Sequence, residues 1–299
     1  MGRVFSLHGA VPAADPGRLE HRFISDAGLL SRFLAKSPRF VSLRDALEGG
    51  GSALTVDDAT HAAAEACRIA RSHGHPVTLF INPGQVESGQ PYWFVQLKVL
   101  LDGLPGNPCE FESRSFQTAT FRDRLRLRHA IKTRLCTIKT EEERSSRVAG
   151  LATQWGQAPI EVPRSGATIS LDDVRELLAL GVDIQNHGWS HAPHASLTAA
   201  ESAEEVQRGR DWLRDRLGID APYFAVPFGD VLPDPPAAAL CTTWLTLDGG
   251  LPPGWVAPGV FNREDLTLQR RPGLLAAARA RLGRSFQALA AAWTGSRRG

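Results

Sequence analysis

Apolar and polar positions along the chain fall into repeating blocks, in which a short apolar run bounded by turn residues is followed by a stretch with helical periodicity. Val4-Phe5-Ser6-Leu7 reads as a strand and precedes a helical stretch at residues 26–35. Phe40-Val41-Ser42-Leu43 leads into a short helix that stops at Gly49-Gly50-Gly51, and Ala53-Leu54-Thr55-Val56 then reads as a buried strand ending on Asp57-Asp58. An alanine-rich helix over residues 60–72 stops at Gly74, and residues 77–82 form the next strand. The pattern resumes at Ser170, where Ser-Leu-Asp-Asp has the form of a capping box and opens a helix ending at Gly181, before a strand at 182–184 that runs into Asn186-His187. A second capping box at Thr198 opens an amphipathic helix through Leu217, followed by a strand at 223–226 that Pro227-Phe228-Gly229 closes. Residues 243–247 read as one more strand, followed by a Gly/Pro-rich loop and a terminal helix at 272–293. Such alternation predicts a parallel sheet, open or closed into a barrel.

Between Pro83 and Pro163 the alternation stops, which predicts a mostly helical insert over about residues 92–156 within a single domain spanning 1–299, with 272–299 as a C-terminal helix and tail. The insert holds Tyr92-Trp93-Phe94 and the basic run from Arg122 to Arg128. That run reads as a solvated helix face, with contact to an anionic substrate carrier or a membrane surface as the alternative. Composition changes this picture little: 42% hydrophobic and 22% charged residues describe an ordinary folded protein, and a net charge of +2 gives no case for a nucleic-acid partner. Cys67, Cys109, Cys136 and Cys241 form no CxxC pair, so neither a zinc ribbon nor a disulfide scaffold is indicated and reduced thiols are expected. The chain lacks the run of about 18 apolar residues that a membrane span needs, and it enters its first strand without the apolar core of a signal peptide, so a cytoplasmic protein with at most peripheral membrane contact is expected.

Two features carry chemistry. Asp57-Asp58 stands at the C-terminal end of a buried strand, where parallel α/β folds place their active sites, whereas the pair Asp172-Asp173 is accounted for by the helix N-terminus it occupies. Consecutive residues leave a pleated strand in different directions, so one carboxylate can bind a metal while its neighbour faces a water. His187-Gly-Trp-Ser-His191 also follows a strand, and its spacing lets two imidazoles converge on one metal. Two histidines and one carboxylate make an open site that hydrolysis can use. His194 offers a competing spacing with His191, but lies beyond Pro193, where the chain turns away.

With these residues placed, the chain resembles the polysaccharide deacetylase family, the NodB-homology group also called carbohydrate esterase family 4. Thr55-Val-Asp-Asp-Ala59 is similar to its T-F-D-D-G motif, His187-Gly-Trp-Ser-His191 to its H-[ST]-x-x-H motif, and Phe224-Ala-Val-Pro-Phe-Gly229 to the F-A-Y-P-[FY]-G form of its third. Leu7-His8 resembles the usual opening Y-H, and the likeness covers roughly two-thirds of the chain. The resemblance implies an irregular (β/α)7 barrel of the NodB type. It also implies Asp57 as general base, with Asp58, His187 and His191 as ligands to a divalent metal, most often zinc.

The implied reaction is hydrolysis of the N-acetyl group of an amino sugar, with acetate released. Pro227 and Phe228 would lie at the oxyanion position, and Trp189 and Trp244 are candidate sugar-stacking residues, or core residues. An N-acetylated sugar, glycan precursor or glycosylated metabolite is the expected substrate. Two departures stand out. The arginine that many members carry in motif three is replaced by Ala225-Val226, for which Arg263, Arg270 or Arg271 would have to substitute, and no histidine follows His194 to serve as the usual late acid. His8 is the candidate replacement acid, weighed against a structural role. These departures also motivate a non-catalytic binding or regulatory relative, while a hydrolase of another amide on the same scaffold is the remaining reading.

Overall fold

A computed structural model describes residues 2–229 and 232–269. Strand β1 (Arg3–Leu7) leads into a small parallel ladder of β2 (Ala10–Val11) and β3 (Ser25–Asp26), and then helices α1 (Ala27–Lys36) and α2 (Leu43–Leu47). Next come β4 (Ser52–Asp57), α3 (His61–Ser72), β5 (Thr78–Ile81) and α4 (Pro83–Ser88). Helix α5 (Trp93–Asp102), a hairpin of β6 (Cys109–Phe111) and β7 (Arg114–Phe116), α6 (Phe121–Leu135) and α7 (Glu141–Gln154) then occupy the stretch where strand alternation lapses. The second half follows with α8 (Leu171–Ala179), β8 (Asp183–Asn186), α9 (Ala199–Leu217), β9 (Tyr223–Ala225), α10 (Pro235–Ala238) and β10 (Thr243–Thr246). It ends in β11 (Gly254–Ala257), β12 (Val260–Asn262) and β13 (Glu264–Asp265).

Local chemistry explains these boundaries. Thr60, Ser170 and Thr198 each cap a helix by accepting from the backbone N–H three residues on, and both expected capping boxes are closed by the reciprocal bond from Asp173 or Glu201. The main sheet has nine strands in the order β11-β12-β10-β9-β8-β5-β4-β1-β13, all pairs parallel except β11 with β12. The architecture is therefore α/β, a large parallel sheet with helices. Leu54, Val56, Leu79 and Ile81 are fully buried against the helices, joined by Ala63, Ala66 and Cys67 of α3. Burial also raises the Cys67 thiol well above its ordinary value, and all four cysteines are free.

Two expectations need correction. The stretch after β10 is not a plain loop: β12 pairs with β10, and β13 pairs with β1, so short strands finish both edges of the sheet. They are too short to show a periodicity, and the glycines and prolines around them mask the signal. The stretch from α5 to α7 is mostly helical but also contains the β6–β7 hairpin. The terminal helix expected over 272–293, together with Arg270 and Arg271, lies outside the described residues.

Parallel strands place their C-terminal ends along one rim. Asp57 ends β4, Asn82 follows β5, His187 follows β8, Val226-Pro227-Phe228 follow β9, Arg263 follows β12 and His8 follows β1. One close approach fixes part of that rim. Asn186 donates to the Val206 carbonyl of α9 at 2.8 Å and accepts from the Gly188 N–H at 3.0 Å, and a Cβ on Gly209 would fall 2.3 Å from its Oδ1. Gly209→Ala should therefore lower stability by about 1–3 kcal/mol through overpacking, although helix propensity alone would favour alanine by about 1 kcal/mol. A urea midpoint equal to or above that of the wild type would refute this account of the glycine.

Candidate active site

Strand β4 ends on the first of two carboxylates, and the turn beyond it sets the second in a different backbone conformation. Asp57 is still in the extended strand, whereas Asp58 has φ = +74°. His191 (φ +55°) and Phe228 (φ +66°) are held in the same left-handed region, so three of the five non-glycine residues with positive φ among the described residues belong to this rim. Such conformations are costly for residues with side chains and persist where the surroundings enforce them.

Asp58, His187 and His191 converge. Asp58 Oδ1 lies 3.7 Å from His187 Nε2 and 3.2 Å from His191 Nε2, and one ligand atom from each residue falls within 4.8 Å of the others. This is the one such group of three potential metal ligands found among the described residues. His187 Nδ1 faces the Ala225 carbonyl at 2.6 Å, so Nδ1–H donates there and the Nε2 lone pair points at Asp58. Burial pushes His187 down to about 4, which keeps it neutral and competent as a ligand. For Asp58, burial pulls upward but the hydrogen bond and charge of His191, then His187, outweigh it and hold the carboxyl well below its usual range.

Asp57 has a different partner. Arg263 reaches it with both terminal nitrogens, at 2.7 and 2.8 Å, while also donating to Thr55 Oγ1 at 3.1 Å and to the Thr246 carbonyl at 3.3 Å. Ser6 Oγ donates to Asp57 Oδ2 at 3.3 Å. Both members of the pair are 3% exposed, so this is a buried bidentate ion pair. Burial would raise the Asp57 carboxyl, but Arg263 foremost and then His187 hold it below the ordinary value. Of the three arginines considered as substitutes for the motif-three residue, Arg263 is the one whose contact with Asp57 is seen.

The remaining candidates separate clearly. Phe228 packs on His191 at 4.8 Å between ring centroids, behind the buried Pro227, and its backbone N–H has no acceptor among the described residues. His8 lies against Phe23, its Nδ1 is buried without a hydrogen-bond partner, and its charge is felt at both Asp57 and Asp58. Trp189 is half-buried, with the Arg208 guanidinium 3.8 Å from its ring centre and Gly84 against its edge. Trp244 is 1% exposed and covered by Phe224 and His194, which makes it a core residue and removes it from the sugar-stacking candidates. His194 bonds Ser202 and stays out of the ligand group.

Two residues that the sequence reading passed over tie the motifs together. Tyr92 accepts from the Ala59 N–H at 2.8 Å and donates to Asn82 Oδ1 at 2.9 Å, and Asn82 donates in turn to the His187 and Gly188 carbonyls. The available signal was a lone asparagine at the end of an apolar strand, the position Asp57 holds on β4.

Asp57 and Arg263 also set a measurable pH dependence. A carboxyl held below its unfolded value of about 3.9 carries stability that is complete above that pH and is lost as pH falls through the folded value. In Arg263→Met, burial acts on Asp57 without its counterion and the carboxyl rises. The variant should lose about 3 kcal/mol or more near neutral pH, and the gap from wild type in urea midpoint should close as pH drops toward about 3. A gap that is constant with pH would show that the two charges are not coupled.

A model of the family described as polysaccharide deacetylase matches residues 46–240. No curated protein matches the sequence. Among solved structures, the chain is similar to the Streptococcus pyogenes deacetylase PplD in complex with acetate, at 13% identity over 91% of this chain and 92% of that one, with a TM-score of 0.52. A polysaccharide deacetylase from Bacillus cereus is similar at 12% identity over 93% of this chain and 68% of that one, with a TM-score of 0.53. At such identities these likenesses are ones of fold. The family match itself spans well over half the chain and includes both rim aspartates, His187, His191 and the Pro227-Phe228-Gly229 turn, and the chain belongs to the polysaccharide deacetylase family.

Proposed function

We propose that this chain is a divalent-metal-dependent hydrolase that removes the acetyl group from an N-acetylated amino sugar, with Asp57 as base and Asp58, His187 and His191 as metal ligands. The observation that carries the reading is the pairing of two adjacent carboxylates with different environments. One is locked by an arginine, and the other turns a buried Oδ1 toward two imidazoles, 3.2 Å from His191 Nε2 and 3.7 Å from His187 Nε2. An ionised carboxylate oxygen facing two imidazole nitrogens fits a divalent cation, and the mixed nitrogen and oxygen donor set suits zinc. Bound there, such an ion supplies Lewis acidity toward an amide carbonyl and makes water more acidic.

The chain's own groups do the rest. Asp57, kept ionised and oriented by Arg263, takes the proton of the attacking water. The Phe228 N–H donates to the oxyanion that develops on the carbonyl, a contribution of about 3 kcal/mol for a well-placed donor. His8 delivers a proton to the departing amine, the role that a late histidine would otherwise fill, and acetate leaves. The frame assumed for this chemistry is a NodB-type (β/α)7 barrel in which residues 92–156 are an insert that closes over one side of the rim. The long parallel strand order and the packing of α5 near His191 support it.

The decisive measurement is metal content together with acetate release from a panel of N-acetylated sugars. The wild type should hold about one divalent ion and release acetate, and Asp57→Asn should keep the metal while losing about 10²–10⁴ in kcat. His8→Ala should lower kcat with metal content unchanged. Failure of the wild type to bind a divalent metal after reconstitution would overturn the catalytic reading in favour of a binding or regulatory protein. Metal binding with release of a different acid would move the substrate to another amide.

A further inference from the structure

The rim beside the proposed metal site carries more positive charge than amide hydrolysis requires. Helix α5 presents Phe94 and Lys98 four residues apart, and α6 presents Arg128 and Lys132 at the same spacing, so each pair shares one face of its helix. The two helices pack on each other. Phe94 lies 4.8 Å from the His191 ring and 6.2 Å from the Phe228 ring. Lys98 Nζ sits 5.3 Å from the Phe94 centroid and Lys132 Nζ 4.3 Å from that of Phe228. Each ammonium is thus one aromatic ring away from the candidate metal ligand His191.

The loop after β2 supplies a further cation. The Leu19 and Glu20 N–H groups donate to Asp102 at the end of α5, at 2.9 and 3.0 Å, and Arg124 of α6 donates to the Gly17 carbonyl at 3.2 Å. This pinning brings Arg22 near α5 and α6, and the charges of Arg128, Arg22 and Lys132 are all felt at Lys98. Nearby carboxylates have other partners, Asp102 with Arg18 and Arg124, Glu20 with Arg18, Asp123 with Arg126 and Asp58 with the two imidazoles. Lys98 and Arg128 make no hydrogen bond or ion pair among the described residues.

Lys98 is nonetheless 9% exposed. Its burial and then Arg128 push its ammonium down to about 7, against the pull of Asp58, and burial pushes Arg128 down to about 10. Burying cations without an anion is unfavourable, and a ligand that brings the anion relieves it.

We propose that Lys98 and Arg128, flanked by Lys132 and Arg22, form a subsite for a phosphoryl group that the substrate carries next to its N-acetylated sugar. This rests on the hydrolase reading of the adjacent site and narrows its substrate class from neutral glycans to phosphoryl-linked sugars. A carboxylate balances a single cation in one plane. A phosphoryl or diphosphoryl group offers more charge and several acceptor oxygens to donors arriving from three segments.

The test is calorimetric titration of the metal-loaded full chain with N-acetylglucosamine, its 1-phosphate, its uridine diphosphate ester and a short polyprenyl diphosphate ester, with acetate release followed on the same four compounds. The wild type should bind the phosphorylated ligands at least about tenfold more tightly than the neutral sugar, the worth of one charge-assisted hydrogen bond. Lys98→Met and Arg128→Met should each erase about tenfold of that preference while leaving affinity for the neutral sugar in place. Lys98→Arg and Arg128→Lys should retain it, which separates lost charge from a folding defect. Equal affinity of the wild type for neutral and phosphorylated sugars, or a preference untouched in both methionine variants, overturns the subsite. Phosphoryl preference without acetate release from any compound leaves the subsite standing and removes the hydrolase reading, whereas acetate release with no phosphoryl preference does the reverse. Tighter binding of the nucleotide or of the polyprenyl ester identifies the source of the group.

Discussion

The buried pair of Asp57 and Arg263 is the constraint on which the rim depends. Withdrawing two full charges from water costs several kcal/mol for each ion, and only well-formed geometry offsets it. Here the offset comes from two parallel N–H···O bonds and from Thr55, Thr246 and Ser6, which bind the charged groups from β4, β10 and β1. The pair therefore ties β1, β4, β10 and the segment after β12 together at one height. It also gives consecutive aspartates different partners, because the arginine that engages Asp57 leaves Asp58 to the imidazoles.

Around that pair the backbone holds the other groups in place. Asp58, His191 and Phe228 all occupy left-handed conformations, and the chain of hydrogen bonds from Ala59 through Tyr92 and Asn82 to the His187 and Gly188 carbonyls links the first motif to the second. Side chains held this way need little rearrangement when a ligand arrives, which is what an electrostatic site requires.

Much of this was legible in the sequence. Strand and helix alternation, the capping residues and the polar pairs at strand ends located Asp57, Asp58, His187 and His191, because each of those signals is local. What was not legible depends on distant parts of the chain meeting. Tyr92 and Asn82 look like ordinary strand-end and helix-start residues until the fold places them between two motifs. Arg263 was one of three arginines, and nothing within its own neighbourhood marks it as the partner of Asp57. The short strands β11 to β13 were hidden because two to four residues beside glycine and proline carry no periodicity. Trp244 shows the opposite case, an aromatic residue whose burial only packing could reveal.

The 206-residue separation between Asp57 and Arg263 has a consequence for how the molecule is made. During synthesis the aspartate emerges 206 residues ahead of the arginine, and over that interval β4 carries a carboxylate whose counterion does not yet exist. Such a strand end must stay hydrated or take up a proton, and it cannot settle into its final dry position. Arg263 lies between β12, which pairs with β10, and β13, which pairs with β1, so its guanidinium is placed only when both edges of the sheet are formed. The rim around Asp57 is thereby completed only when nearly the whole sheet is present, so its assembly reports completion of the fold.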